Sequence, residues 1–256
     1  MKYLYKTSTK YHKIQVVEEN GFRGLLSGVG ICQEQSAIKP SDLRYHVFDY
    51  SQAAMYSLCF IRNPEEVLVV GLGGGVVPRE MSHYRPLTGI DVIEVDKEII
   101  RVAKEYFFIE ESDMLKIHHG DAFLVVPEMA KDNRKYDIVF LDAFFSNYIP
   151  FHMMSKEFFA SVDSLLKSKS VVAVNCCNQH PSFPNHINTL IQVFGDRVYR
   201  MDGDRNPAAT MLFFVRGGMK PELLDLSPDY YPPRIPIQTK ISDGVRKAKI
   251  FQLNDV

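Results

Sequence analysis

Apolar residues gather into short runs beginning near residues 66, 89, 115, 136 and 170, and the stretches between them switch to helical spacing. The helical stretches fall at about 97–107, 122–131, 155–167 and 184–194, and a helix-compatible segment, VVPREMSHYR, follows Gly75. Strand-length runs alternating with such helices predict an α/β fold built on a doubly wound parallel sheet. Two later runs, RVYRMDG and ATMLFFVRG, read as antiparallel strands closing that sheet. Ahead of it, residues 1 to about 40 read as a small β region. DLRYHVFDYSQAAMYSLCFI then reads as a helix capped by Ser41 or Asp42 and ended before Asn63-Pro64. The expected organisation is an N-terminal β-hairpin region with a connecting helix (1–60), an α/β domain (61–220) and a C-terminal tail (221–256). The tail's YYPPRIP segment has no periodicity and is expected to wrap the domain or a partner. No internal repeat is visible.

The run at residues 66–75, EVLVVGLGGG, carries the most chemistry, because a buried strand feeds a glycine turn and then a helix. Glycines there let the backbone turn tightly and approach a ligand, while the helix that follows presents unpaired N–H groups to it. Gly71, Gly73 and Gly75 form G-x-G-x-G, whereas the dinucleotide fingerprint would place its third glycine at Val76. That spacing disfavours NAD and favours a sulfonium nucleoside.

Three acids end the next strands. Glu94 closes GIDVIEV, 23 residues after Gly71, a distance that suits a carboxylate gripping two ribose hydroxyls. Asp121 follows LKIHH-Gly120 and is placed to accept from an adenine amino group, and Asp142 ends YDIVFLD. Strand ends of an open α/β sheet line its ligand crevice, so the three acids should converge on one edge. Plainer readings stand beside these: Asp96 reads as a helix N-cap, and Asp121 could be one too. At Asp142 a buried carboxylate without a partner would be costly, which argues for a role.

From about residue 66 to 175 the chain resembles the spermidine synthase family of polyamine aminopropyltransferases, and more closely its spermidine-synthase-like branch. The match lies in VLVVGLGGGVVPRE, VIEVD, HHGDAF, and YDIVFLDAF followed by IPFHMMSKEFF. The resemblance implies a Rossmann-like fold of the S-adenosylmethionine-dependent methyltransferase type. It also implies S-adenosylmethionine or its decarboxylated form as co-substrate, no metal, an amine or protein acceptor, and a homodimer. By the same resemblance Gln35, Gly71, Gly73, Gly75, Glu94, Asp121, Ala122 and Asp142 line the donor site. Gln33 is an alternative to Gln35, and Tyr50 joins Asp142 at the reacting centre. The DGDRNPAA segment stands where the family places residues near the acceptor, making Asp202, Asp204 and Arg205 candidates, although such residues are also ordinary turn formers.

Two departures matter. Typical members read GGGDGG and DSSD or DSTD, whereas here Gly74 stands at the loop aspartate, and Asp142-Ala143-Phe144-Phe145 keeps only the first acid of the second motif. Loss of an acid that would pair with an aminopropyl ammonium weakens the preference for the decarboxylated donor and removes a like-charge penalty against ordinary S-adenosylmethionine. Loss of the acid at Phe145 argues against a slim diamine gripped at both ends. An amine has a pKa near 10 and must shed a proton before attack, which assigns Asp142, the one acid of its loop, as proton acceptor. Tyr50 or Tyr148 would orient the acceptor, or simply pack. Phe144, Phe145, Phe151, Met153 and Met154 would form an apolar wall, or simply core. Three functions follow: a methyl- or aminopropyltransferase acting on an amine, an ordinary polyamine aminopropyltransferase, and a non-catalytic nucleoside-binding protein.

Composition narrows the setting. With 256 residues, 46% apolar content and net charge −1, the chain can bury one substantial core and offers no strong phosphate-attracting field, so nucleic acid is not an expected partner. No run reaches the roughly 18 apolar residues of a membrane span, and the start MKYLYKTSTKYHK lacks a secretory hydrophobic region. Cys32, Cys59, Cys176 and Cys177 make no metal or disulfide pattern, and His118 and His119 point to opposite strand faces, so a reducing cytoplasm and no metal are expected.

Overall fold

The structure, a computed structural model, describes residues 1–28, 33–142, 151–202, 209–221 and 249–251. Four strands, β1 (Lys2–Ser8), β2 (Lys13–Glu19), β3 (Phe22–Gly28) and β4 (Gln33–Ile38), form an antiparallel sheet in chain order. A short helix α1 (Asp49–Met55) and a 3-10 turn (Tyr56–Cys59) lead into the main body. There β5 (Glu66–Val70), α2 (Val76–Tyr84), β6 (Gly89–Glu94), α3 (Lys97–Phe107), β7 (Leu115–His119), α4 (Ala122–Lys131) and β8 (Tyr136–Leu141) alternate as expected. A 3-10 turn (Phe151–Met154), α5 (Lys156–Ser164), β9 (Leu166–Cys177), α6 (Phe183–Phe194), β10 (Val198–Asp202), β11 (Ala209–Arg216) and β12 (Lys249–Phe251) complete it.

The main sheet has the order β12-β10-β11-β9-β8-β5-β6-β7, and the five strands from β9 to β7 are parallel. β11 runs antiparallel to β9 and β10 antiparallel to β11, so the two closing strands read from sequence are present. Strand alternation divides the core cleanly. Val67 and Val69 of β5 pack with α1, α2, α3 and the N-terminal sheet, while Leu68 and Val70 pack with α4, α5 and α6. β5 sits mid-sheet with helices on both faces, so its four valine and leucine side chains are all buried.

Three boundaries differ from the sequence reading. Residues 42–48 are not helical: Asp42 accepts from the Arg44 amide at 3.3 Å and Tyr45 N–H bonds Asp42 O at 3.1 Å, so Asp42 closes a local turn instead of capping a helix. The chain then runs extended through Phe48 (φ −111°, ψ 146°), and α1 begins only at Asp49. At the other boundary α5 stops at Ser164, because Leu166 already pairs with Tyr136 of β8 and starts a strand of 12 residues. From the tail, read as patternless, residues 249–251 pair antiparallel with β10 at the sheet edge.

The N-terminal sheet is pinned across α3 and the tip of β6. Arg23 Nη1 donates to Tyr106 O at 2.8 Å, Tyr5 Oη to Glu98 at 2.7 Å, and Thr9 Oγ1 to Asp96 at 2.6 Å. The β1–β2 turn therefore stands over the carboxyl end of the main sheet.

Candidate active site

The expected acids stand at the carboxyl ends of three parallel strands that, with β5, lie consecutively in the sheet: Glu94 is the last residue of β6, Asp121 lies two residues beyond β7, and Asp142 is the first residue after β8. The glycine turn after β5 takes left-handed φ values at Gly71 (99°), Gly73 (53°) and Gly75 (69°), which side chains rarely tolerate. Glu94 stabilises this turn directly: one oxygen accepts from Leu72 N–H at 3.0 Å and the other from Asp96 N–H at 2.9 Å. Burial raises its pKa, opposed by those two amides. Each oxygen still has a lone pair for a hydroxyl.

A cavity of about 530 Å³ opens over these strand ends, within the range of small-molecule sites. Gln35, Tyr50, Gly71, Gly73, Glu94, Asp121, Ala122 and Asp142 all line it. Gly75 does not. A side chain there would meet Ile109 at 3.0 Å, so its glycine serves the turn and its packing. Gln33 and Gln35 both reach the cavity, leaving that alternative open.

Asp121 does two things at once. Its Oδ1 caps α4 by accepting from Phe123 N–H at 2.9 Å, while Oδ2 lies 3.6 Å from His152 Nε2. Asp96 caps α3, as read from sequence, by accepting from Glu98 N–H at 2.9 Å.

Asp142 is held by its backbone, whose N–H bonds Val70 O at 2.9 Å, and by Asn175, whose Nδ2 donates to Oδ1 at 2.7 Å. Protein surrounds the carboxyl except at the cavity, and this burial pushes its pKa up to about 7, with Asn175 opposing. Tyr50 Oη donates to Gln35 O at 3.3 Å and lies 3.4 Å from Ser36 Oγ; burial and then the Asp142 charge raise its pKa, so it stays a neutral hydroxyl. Ala143, Phe144, Phe145, Tyr148, Asp204 and Arg205 lie outside the described residues. Asp202 is described: it accepts from Arg200 at 2.7 Å and from Thr210 at 2.6 Å, and it does not line the cavity. Of the apolar wall, Met153 lines the cavity while Phe151 is exposed.

Several cavity residues were missed by sequence reasoning. Tyr11 and His12 arrive from the β1–β2 turn, Glu34 from β4, Asp49 from the start of α1, and Asn175 from the end of β9. Counting these, five carboxylates line the cavity (Glu34, Asp49, Glu94, Asp121, Asp142), and among the described residues no lysine or arginine does. The side chains with a titratable cationic form there are His12 and His152. Burial lowers the pKa of His12, with Asp96 pulling the other way. Among the described residues no group of three or more histidine, cysteine or acidic side chains is arranged to hold a metal ion.

A Rossmann-like sheet whose parallel strand tips frame a glycine turn and a buried carboxylate defines the methyltransferase-like class of α/β proteins. Within that class the chain belongs to the spermine/spermidine synthase family, whose domain profile matches residues 50–202. It is 31% identical over 199 residues to a polyamine aminopropyltransferase of Vibrio vulnificus, a match covering 75% of this chain and 65% of that protein. A crystal structure of spermidine synthase in complex with the transition state analogue AdoDATO shares the fold at TM-score 0.69 and 18% identity, over 98% of this chain and 82% of that one. Human methyltransferase-like protein 13 in complex with SAH shares it at TM-score 0.61 and 22% identity, over 81% of this chain and 97% of that one. The chain thus spans just under two thirds of the Vibrio relative's length.

Proposed function

We propose that this protein is a transferase of the spermidine synthase type, moving an alkyl group from a sulfonium nucleoside to an amine. The observation that carries the reading is the charge of the cavity: five carboxylates face it, with no lysine or arginine among the described lining residues. Such a site attracts a cationic sulfonium and a cationic amine together and disfavours a carboxylate-bearing ligand. The donor that fits this charge best is decarboxylated S-adenosylmethionine, with Glu94 on the ribose hydroxyls, Asp121 and Ala122 at the adenine, and Gly71 and Gly73 beneath.

Asp142 serves as proton acceptor. The acceptor ammonium gives one proton to Asp142, and its freed lone pair forms the N–C bond. The C–S bond breaks with its electron pair going to sulfur, which leaves as a neutral thioether, and the nitrogen becomes a secondary ammonium. A base with a pKa of about 7 suits transfer at neutral pH. Alignment of the two reactants in the cleft supplies most of the remaining acceleration.

A second reading, methyl transfer from S-adenosylmethionine itself, draws on Gly74. The space a side chain would take there is filled by Ser36 and Phe107, so the loop offers no carboxylate to an aminopropyl ammonium. Calorimetry with each donor separates the two: tighter binding of the decarboxylated form favours aminopropyl transfer, tighter binding of the parent favours methyl transfer, and no binding of either removes the transferase reading.

A further inference from the structure

We propose that Asn175 is a positioning residue for the proton acceptor, fixing one oxygen of Asp142 so that the other faces the acceptor nitrogen. The inference rests on the reading of Asp142 as the base and adds to it the group that aims it.

The placement follows from register. β8 and β9 are parallel and pair Leu141 with Val174, and both of those side chains pack into the core on the α4–α5–α6 side. The residue that follows each of them in the chain turns to the opposite face, which brings Asp142, just past β8, and Asn175, within β9, together at the cavity wall. The two are not equally anchored. Asn175 lies inside β9, paired with Met211 of β11, whereas Asp142 is the first residue beyond β8. The Asp142 backbone is tied through its N–H to Val70 O at 2.9 Å, leaving only side-chain rotation free. The 2.7 Å bond from Asn175 removes that rotation.

Chemistry explains why an amide suits the task. Its NH₂ donates to the ionised carboxylate, the form that must take the proton. Being uncharged and unable to titrate, it orients the base without neutralising it, as a lysine or arginine would. No bond to Asn175 forms or breaks: the proton passes to the oxygen it leaves free.

The test uses Asn175→Leu, with Asn175→Ala in reserve should the first fail to fold. The Asp142 carboxyl is followed by carbon-13 NMR in the donor-free protein, its signal assigned by its loss in Asp142→Asn. The titration midpoint should rise by about one unit or more when the charge-assisted bond is removed. Turnover of 1,4-diaminobutane with decarboxylated S-adenosylmethionine should fall at least about tenfold at neutral pH. Raising the pH should recover part of that loss, with donor affinity unchanged. An unmoved midpoint overturns the proposal, whether or not this amine is turned over. If Asp142→Asn is inactive while Asn175→Leu keeps the wild-type pH profile, the positioning role alone falls; if Asp142→Asn stays active, the base assignment falls with it.

Discussion

The Ser36 hydroxyl occupies the space into which a side chain at Gly74 would project: a first carbon there would come within 2.8 Å of Ser36 Oγ and 2.9 Å of Phe107. Ser36 and Phe107 are both fully buried, so neither can swing into solvent to make room. Gly74→Asp should destabilise the fold by about 1–3 kcal/mol, the usual cost of overpacking, and should not restore an amine-binding acid. Thermal unfolding of that variant measures the loss, and adding Ser36→Gly should recover part of it. A variant that melts at the wild-type temperature and binds the decarboxylated donor more tightly would contradict the packing argument.

Replacing the base should separate chemistry from binding. Asp142→Asn keeps the shape and the cavity but cannot take a proton, and turnover should drop by about 10²–10⁴-fold. Methylthioadenosine, a neutral nucleoside probe, should bind with nearly unchanged affinity. In the wild-type protein the rate should climb as pH rises through about 7, where Asp142 ionises. Flat activity between pH 5 and 8 would remove Asp142 from the proton transfer.

The same carboxyl makes a statement about stability. Its pKa is raised from 3.8 to about 7 in the folded protein, so the folded state binds more protons than the unfolded one between those values. Its contribution to stability is full below the unfolded pKa and is lost as pH rises through about 7, a loss of up to about 4 kcal/mol less what cavity water screens. Asp142→Asn should therefore melt higher than wild type at pH 8 and show little difference at pH 4. Denaturant titrations at the two pH values check this, and equal shifts at both would refute it.

Glu94 both lines the cavity and holds the glycine turn, so its variants should report on the proposed ligand contact and on the turn. Glu94→Gln retains one acceptor and loses the other, leaving Leu72 N–H or Asp96 N–H unpaired at a cost of about 1–3 kcal/mol. Methylthioadenosine affinity should weaken by roughly tenfold or more, equivalent to one hydrogen bond to a charged group. Isothermal titration reads the affinity; an unaltered value would confine Glu94 to holding the turn.

The main sheet and its acidic tips were legible because the signals are local. Glu94 and Asp142 each follow an apolar run and Asp121 an alternating one, and parallel strands in register carry such positions to one edge. Asn175 obeys the same rule at the end of VVAVN, so strand-end logic extended to the fifth parallel strand would have found it. Tyr11 and His12 carry no such mark. They reach the cavity because Thr9 bonds Asp96 across 87 residues of sequence, a relation that periodicity cannot express. Gly75, expected at the donor site, does not line the cavity; its glycine answers to its left-handed φ and to Ile109, two residues beyond α3, a contact that periodicity cannot express. The helix expected from Ser41 or Asp42 failed because a turn formed by Asp42 competes locally with a cap, and sequence alone does not say which wins.

The bond between Thr9 and Asp96 makes the first hairpin one wall of the cavity, and so of the mould in which the proposed transfer would be set. A shortened chain beginning after residue 12 would keep the nucleotide-style floor of the cleft yet leave one flank open. A bound electrophile would then meet bulk water as readily as its intended amine, and hydrolysis would compete with transfer.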